Sequence, residues 1–496
     1  MRVLYIDVDS LRPDHLGCYG YHRNTSPNID SIAEHAVRFD NLYISDAPCL
    51  PSRTALFSGR FGYKTGVVNH GGVASQPFIE GINRSHQDNF YRHGWMNALR
   101  KLGYSTTTIS SFGERHAAWH WYAGFNEIIN PGRRGLEDAQ TIGNYAMDWL
   151  SRNGARDNWF LHVNFWDPHT PYRTPLDFGN PFENDPIADW LTEDMRQKCW
   201  DGYGPHSAQD VHGFGTEDYW KDYPRLLPAL DSMDAVKQWI DGYDIGIRYM
   251  DDYIGRILNT LSDLNVLDDT VIIIGADHGE NQGELNVWGD HQTADSITCR
   301  VPLIIKFPEL TKTARVDSAL HYHFDWAATL IDLLGGEVPE IWDGESFAEA
   351  FKSGEEDGRE HLIMSQGTWA CQRAVRYQDY LYLYTYHDGF KDLPEQMLFN
   401  IKNDPHLQNN LAPEGINTEQ TNFLTVKVQR CLALLKVWEA QMKQESPTGI
   451  DPMDTVIEEG GPVYIRGELD NYVQRLRDTG RTYHADTLRE QHGDEA

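Results

Sequence analysis

The chain has 496 residues, 40% of them hydrophobic and 24% charged, with 15 Trp, 25 Tyr and 19 Phe. That is enough apolar material for one large folded unit plus a smaller one, and it excludes disorder over most of the length. A formal net charge of −31 argues against nucleic acid or an anionic membrane surface as a partner, because both repel an acidic face.

Met1-Arg2-Val3-Leu4-Tyr5-Ile6-Asp7 enters a strand-like run at once, without the basic segment and apolar stretch of a secretory leader. No apolar run approaches the ~20 residues of a membrane span. The six cysteines (Cys18, Cys49, Cys199, Cys299, Cys371, Cys431) are scattered, with no Cys-x-x-Cys pair, which fits a reducing compartment. The expectation is a cytoplasmic protein with no membrane partner.

Val3–Val8 reads as a buried strand ending in acids, and Phe160–Phe165 as a second that runs into Trp166-Asp167-Pro168-His169. Asp244–Leu261 places Ile245, Ile247, Met250, Ile254, Ile257 and Leu258 near helical spacing. Val271–Ile274 and Leu303–Phe307 supply two more short β-branched runs. Strands alternating with helices predict an α/β layered fold with a large, mostly parallel sheet. In such sheets ligands gather beyond the carboxyl ends of the strands. Asp9, His169, Asp277 and His278 each follow a predicted strand, so three remote segments deliver polar groups to one edge.

The texture changes near Gly354-Glu355-Glu356-Asp357-Gly358-Arg359-Glu360, a charged connector. Arg373–Tyr377 and Tyr380–Tyr384 alternate as antiparallel strands do, and a helix is predicted over Thr421–Gln444. These features divide the chain into a catalytic α/β domain, 1–355, and a smaller antiparallel subdomain with a polar tail, 356–496. The tail from Ser446 has too few apolar residues for its own core, so it is expected to pack on the main body or on a neighbouring subunit.

The densest chemistry lies in Pro48-Cys49-Leu50-Pro51-Ser52-Arg53-Thr54-Ala55-Leu56-Phe57-Ser58-Gly59-Arg60. Pro51 suits a first helical turn, where its missing amide proton costs nothing. Cys49 and Arg53 are four apart, so a helix puts them on one face. A cation there, with the amides of a helix start, can hold an oxyanion. Only three residues separate this Cys from this Arg, whereas a thiolate phosphatase needs five. Asp7 and Asp9 share one strand face; Asp7 is read as a hydrogen-bonded core acid, with an orienting role as the alternative.

The Cys49-Leu50-Pro51-Ser52-Arg53 run, with Asp9, Asp277 and His278 in that order, resembles the formylglycine-dependent sulfatases, the type I sulfatases of the alkaline phosphatase superfamily. The resemblance implies an alkaline-phosphatase-like fold and hydrolysis of a sulfate ester to alcohol and inorganic sulfate. It implies that a maturation enzyme oxidises Cys49 to formylglycine, whose hydrate is the nucleophile. It also implies that Asp9, Cys49, Asp277 and His278 bind a divalent cation: calcium by its taste for oxygen ligands, with manganese open because imidazole suits transition metals. Arg53 would hold the modified side chain and the sulfate, and His169 would protonate the departing alcohol. His291 falls where many relatives carry a sulfate-binding lysine.

Ser10 departs from relatives with a second acid there and brings the site closer to phosphonate monoester hydrolases and choline sulfatases. The family's Gly-Lys-Trp-His segment is absent; Arg115 and His116 stand in its place. Trp119, His120 and Trp121 are a pocket wall or core. Met397–Pro405 and Asn410–Ala412 match a recurrent sulfatase segment. The resemblance therefore covers about 3–412, with a poorly matched middle near 175–240 expected to shape the substrate pocket. A small anionic sulfate ester, of a sugar or an aryl alcohol, is the expected substrate. A phosphonate monoester or phosphodiester hydrolase with the same nucleophile is the alternative, and a non-catalytic binding protein with an unmodified Cys49 the second. A homo-oligomer is left open.

Overall fold

A computed structural model of the chain describes residues 1–80, 87–215, 218–412 and 419–493. At its centre is an eight-stranded sheet in the order Arg315–Asp317, Val37–Phe39, Leu303–Lys306, Thr270–Ala276, Arg2–Val8, Trp159–Phe165, Ser105–Ile109, Glu127–Ile129. All pairings are parallel except those of Leu303–Lys306, which runs against both its neighbours. The three middle strands are almost wholly buried. Layers of helix on either side remove the need for a polar face, which is why Val271–Ile274 is an uninterrupted apolar run.

Register carries the functional consequence. Val8 pairs with both Phe165 and Ala276, so three adjacent parallel strands end level, and Asp9, Trp166 and Asp277 emerge side by side. The sheet edge inferred from sequence is therefore one place in the molecule.

The Cys49–Ser58 helix is buried along its whole length, and it packs among Trp95–Lys101 and His323–Leu333. Its Phe57 meets Trp95 and Trp121 at 5.5 and 4.9 Å. A helix buried on every side shows no single apolar stripe. The predicted Asp244–Leu261 helix begins earlier, at Met233, where the Ser232 hydroxyl accepts from the Ala235 amide at 3.2 Å. Its first turns carry Asp, Lys and Gln, which dilute the apolar period.

A second sheet of five strands runs Gln396–Asn400, Tyr380–His387, Cys371–Tyr377, His361–Gln366, Asp46–Ala47. The first four are antiparallel. The fifth, just before Cys49, pairs in parallel with Ser365 and Gln366. The Cys49 segment is thus stitched between the two sheets, and one hydrophobic core runs through both. Helix Glu419–Glu445 lies on this sheet through Arg373, whose guanidinium meets Glu439 at 2.9 Å.

The tail forms helices Pro452–Glu458, Leu469–Asp478 and Thr482–His492. Ile465, Leu469, Tyr472, Val473, Leu476, Ala485 and Leu488 build a core only together with Tyr203, Phe214, Trp369 and Phe390 of the main body. Its polar anchor is the fully buried Asp210, which accepts from Tyr472, Arg475 and Arg481 at 3.2, 3.0 and 2.8 Å. Among the described residues no helix is long and apolar enough to cross a membrane.

Removing a carboxylate that neutralises two buried or half-buried guanidinium groups costs about 3–5 kcal/mol. Asp210→Ala is therefore expected to release the tail. Limited proteolysis should cut between residues 446 and 468 in the variant under conditions that leave the parent intact; equal resistance would show that the apolar contacts suffice.

Candidate active site

Arg53 stands one turn into the Cys49–Ser58 helix and points into the level strand ends. Its Nε donates to Asp7 Oδ2 at 2.8 Å, and its Nη1 to Asp9 Oδ2 at 3.1 Å and Asp277 Oδ2 at 2.5 Å. Asp7 also accepts from His162 Nε2 at 3.1 Å, which makes it the hydrogen-bonded core acid read from the sequence. Three buried carboxylates thus face one guanidinium. Burial alone would raise the Asp9 carboxyl, and Arg53, with His169, pulls it well below the usual range. Burial pushes Asp277 up, and Arg53 opposes it only in part because Asp9 and Asp7 add to the rise. Three acids sharing one guanidinium leave the cluster short of positive charge, and that deficit is the electrostatic signature of the site.

Ser10 closes this corner in a left-handed conformation (φ 62°). The turn aims its amide at Asp277 Oδ1, 3.3 Å away, and its hydroxyl at Asp9 Oδ1, 3.0 Å away. A non-glycine residue there costs about 1 kcal/mol, offset by these two bonds. The serine that departs from the family pattern therefore positions both acids.

Cys49 lies at the helix start with Sγ 3.0 Å from His278 Nε2. His278 Nδ1 donates to the Gly279 carbonyl at 2.8 Å, which fixes the tautomer and leaves the Nε2 lone pair facing the site. Burial, reinforced by Asp9 and Asp277, pushes the Cys49 thiol well above its usual value. An unmodified Cys49 is therefore a thiol and a poor nucleophile, which weighs against thiolate chemistry more directly than the Cys-to-Arg spacing.

The ligand atoms of Asp9, Cys49, Asp277 and His278 all lie within 4.8 Å of one another. Carboxylates in excess of the local positive charge, with one imidazole lone pair, make a donor set that suits a divalent cation.

Two further imidazoles frame the pocket. His291 packs on His278 at a ring distance of 4.0 Å and on His169 at 5.4 Å. His169 Nε2 is 3.9 Å from Asp9 Oδ1, while its Nδ1 donates to the Thr170 carbonyl. Burial lowers His278 to about 4 and both His169 and His291 to about 3, so all three rings are neutral near pH 7.

Arg115 lies over the Trp166 ring at 5.3 Å, close enough for its charge to lower the Cys49 thiol and the His169 imidazolium. His116 belongs to a set with Cys49 and His70 whose ligand atoms also lie within 4.8 Å of one another. Trp121 is core and His120 binds Thr54 Oγ1 at 3.1 Å, whereas Trp119 is exposed. The middle segment reaches the site through His206, 3.0 Å from Asp290 Oδ2, and Asp290 in turn accepts from the His291 amide at 2.7 Å.

Sequence reasoning missed His70, Tyr464 and Lys391. His70 sits in a loop without a motif, and Tyr464 in the polar tail. Lys391 is buried, bonded to the Pro205 carbonyl, and lowered to about 7 by burial against the pull of Asp290. The Leu50 amide ties His70 to the Cys49 helix, and the docked tail brings Tyr464 to His70, whereas Lys391 stands on the Pro205 and Asp290 side of the fold.

Comparison with known proteins places the chain. A family model described as sulfatase matches residues 2–336, more than half of the chain, and a second, N-sulphoglucosamine sulphohydrolase, C-terminal, matches residues 283–433. The chain belongs to the type I sulfatase family of the alkaline phosphatase superfamily, a family of sulfuric ester hydrolases. Iduronate 2-sulfatase of Mus musculus is 27% identical over 347 residues; the match takes in 63% of this chain and 60% of that protein. The chain thus aligns with less than two thirds of that relative. The solved structure of BT4656 in complex with its substrate D-glucosamine-2-N,6-O-disulfate shares the fold with a TM-score of 0.69, at 20% identity over 90% of this chain and 99% of that one. A phosphonate monoester hydrolase from Silicibacter pomeroyi superposes with a TM-score of 0.65, at 20% identity over 86% and 94%.

The charge deficit yields a test. Arg53→Met leaves three buried carboxylates without their cation and is expected to lower stability by about 3–5 kcal/mol. Added calcium should raise its urea midpoint more than that of the parent, because the cation replaces the lost charge. An equal calcium response in both proteins would show that these acids do not bind it.

Proposed function

We propose that the chain hydrolyses a sulfate ester of a small sulfated sugar or an aryl alcohol, with Cys49 in its formylglycine form and a divalent cation on Asp9, Asp277 and His278. The observation that carries this reading is the gathering of those four residues within 4.8 Å, beside Arg53, at the level ends of three adjacent strands. The formylglycine hydrate would supply an oxygen nucleophile and the cation the charge that activates it.

The chain's own residues account for the rest. Among the described residues Arg53 Nη2 has no hydrogen-bond partner, and in this reading it serves a sulfate oxygen. His278 and His291 line the pocket with neutral nitrogens, beside which stand Asp277 at 3.3 Å and Asp9 at 3.7 Å from His278 Nε2 and Asp290 at 3.6 Å from His291 Nε2. His169 can serve the leaving oxygen only as an acid, and burial holds it neutral near pH 7. The negative charge of a bound sulfate ester favours its imidazolium and so primes the proton donor only when substrate is present. Sulfated sugars are favoured by two of the relatives, whose names specify iduronate and a glucosamine disulfate.

Ser10 in place of a second acid, and the phosphonate monoester hydrolase that shares the fold, support a second reading. Comparing kcat/KM on matched sulfate monoesters and phosphonate monoesters separates them. The sulfate ester is expected to be preferred by at least tenfold, and the reverse order would overturn the assignment.

For the nucleophile, mass spectrometry of the peptide spanning Cys49, from cells that hold a maturation enzyme, is expected to show the lighter aldehyde. Cys49→Ser has one hydroxyl where the hydrate has two, so it should release at most one product equivalent per site and then stall. Sustained parental turnover by Cys49→Ser would remove the second hydroxyl from the reaction.

A further inference from the structure

The polar tail lies outside both matched family regions, which end at residue 433, yet it reaches the edge of the active site. Tyr464 sits in a short turn, Val463–Ile465, and its hydroxyl is 3.0 Å from His70 Nδ1. The Leu50 amide, next to the nucleophile, meets the other nitrogen of that ring at 3.3 Å. A backbone amide can only donate, so His70 Nε2 is the acceptor, and in the neutral ring Nδ1 carries the proton and donates to the Tyr464 oxygen. Burial keeps His70 neutral. The Tyr464 proton is then left to point elsewhere, and 43% of the residue is exposed. Its ring leans on Trp369 at 4.6 Å, a residue of the second sheet's connecting loop.

The docking of the tail here is written into the chain it covers. A Cβ on Gly71 would stand 2.7 Å from Val463 Cγ2, and one on Gly72 would stand 2.1 Å from Glu459 Oε2. Gly72 also has φ 71°, which favours glycine. Glu459 accepts from the Val73 amide at 3.0 Å and from Arg466 at 3.1 Å. The His70 loop and the tail thus interlock at the two residues that flank the site.

From this geometry we infer that Tyr464 is a specificity-determining residue: it donates a hydrogen bond to a hydroxyl of the sugar that carries the sulfate and offers that ring an aromatic face. The inference rests on the sulfate-ester reading above. The sulfur end of the pocket is built of charged groups, Asp9, Asp277 and Arg53. The Tyr464 corner offers a neutral donor and an aromatic surface, the chemistry that recognises a polyhydroxylated ring with an apolar face.

The test uses the mature, full-length enzyme with a sulfated monosaccharide, glucosamine 6-sulfate, and with 4-nitrophenyl sulfate, whose leaving group has no hydroxyl besides the ester oxygen. Tyr464→Phe is expected to lower the ratio of kcat/KM for the sugar sulfate to that for the aryl sulfate about tenfold, the effect of one uncharged hydrogen bond. Tyr464→Ala should lower it further. Tyr464→Phe removes one atom from a half-exposed side chain, and an unchanged melting temperature checks that the tail stays docked. If the parent cleaves both substrates and neither variant moves the ratio, the inference is overturned and the sulfate-ester reading stands. If the parent cleaves no sugar sulfate, the substrate reading fails and the subsite fails with it.

Discussion

Arg53 holds Asp7, Asp9 and Asp277 together in a place water does not reach. Three desolvated carboxylates repel one another strongly in a low-dielectric interior, so the two strand ends that carry them can lie level only if a cation sits between them. The helix bearing Arg53 must therefore dock at that edge, and Cys49, one turn earlier on the same helix, is carried to His278 as a geometric consequence. The placement of the candidate nucleophile thus follows from a charge constraint. The same constraint leaves the cluster short of positive charge, which is the physical reason it could hold a divalent cation.

The histidines respond to the same burial in the opposite sense. His278 and His169 each give Nδ1 to a backbone carbonyl within one residue of themselves, which fixes the tautomer and turns Nε2 toward the pocket. His70 is fixed from the other direction, by the amide of Leu50. Neutral rings held this way cost less to bury than imidazolium ions and keep their lone pairs available. In the proposed reaction, charge enters this half of the site with an anionic substrate, and proton donation by His169 would be tied to its binding.

Around this centre stand the middle segment and the tail, of which only the tail lies beyond the matched family regions. The middle segment touches His291 through His206 and Asp290, and it also supplies Asp210, on which the tail is anchored. The tail in turn covers Gly71 and Gly72 beside His70. The surroundings of the Cys49 site are therefore built by stretches remote in sequence. A change in the tail can alter the site without touching any residue of the Cys49 motif.

Much of this was legible in the chain itself. Short β-branched runs followed by Asp9, His169 and Asp277-His278 locate the sheet and the edge where its ligands collect, because parallel strands are buried on both faces and open only at their ends. The four-residue spacing of Cys49 and Arg53 puts them on one helix face whatever surrounds them. Other features are tertiary by nature. The reversal of Leu303–Lys306, the pairing of Asp46–Ala47 with the second sheet, and the early start of the Met233–Asp263 helix depend on partners and caps that no local period encodes. Asp7 is a core acid because Arg53 and His162 reach it, and Ser10 positions two acids because its turn is left-handed. His70 and Tyr464 stand in unremarkable sequence, and only the docked tail brings them together beside Cys49. Periodicity and spacing determine what one segment does by itself; contacts between distant segments decide the rest.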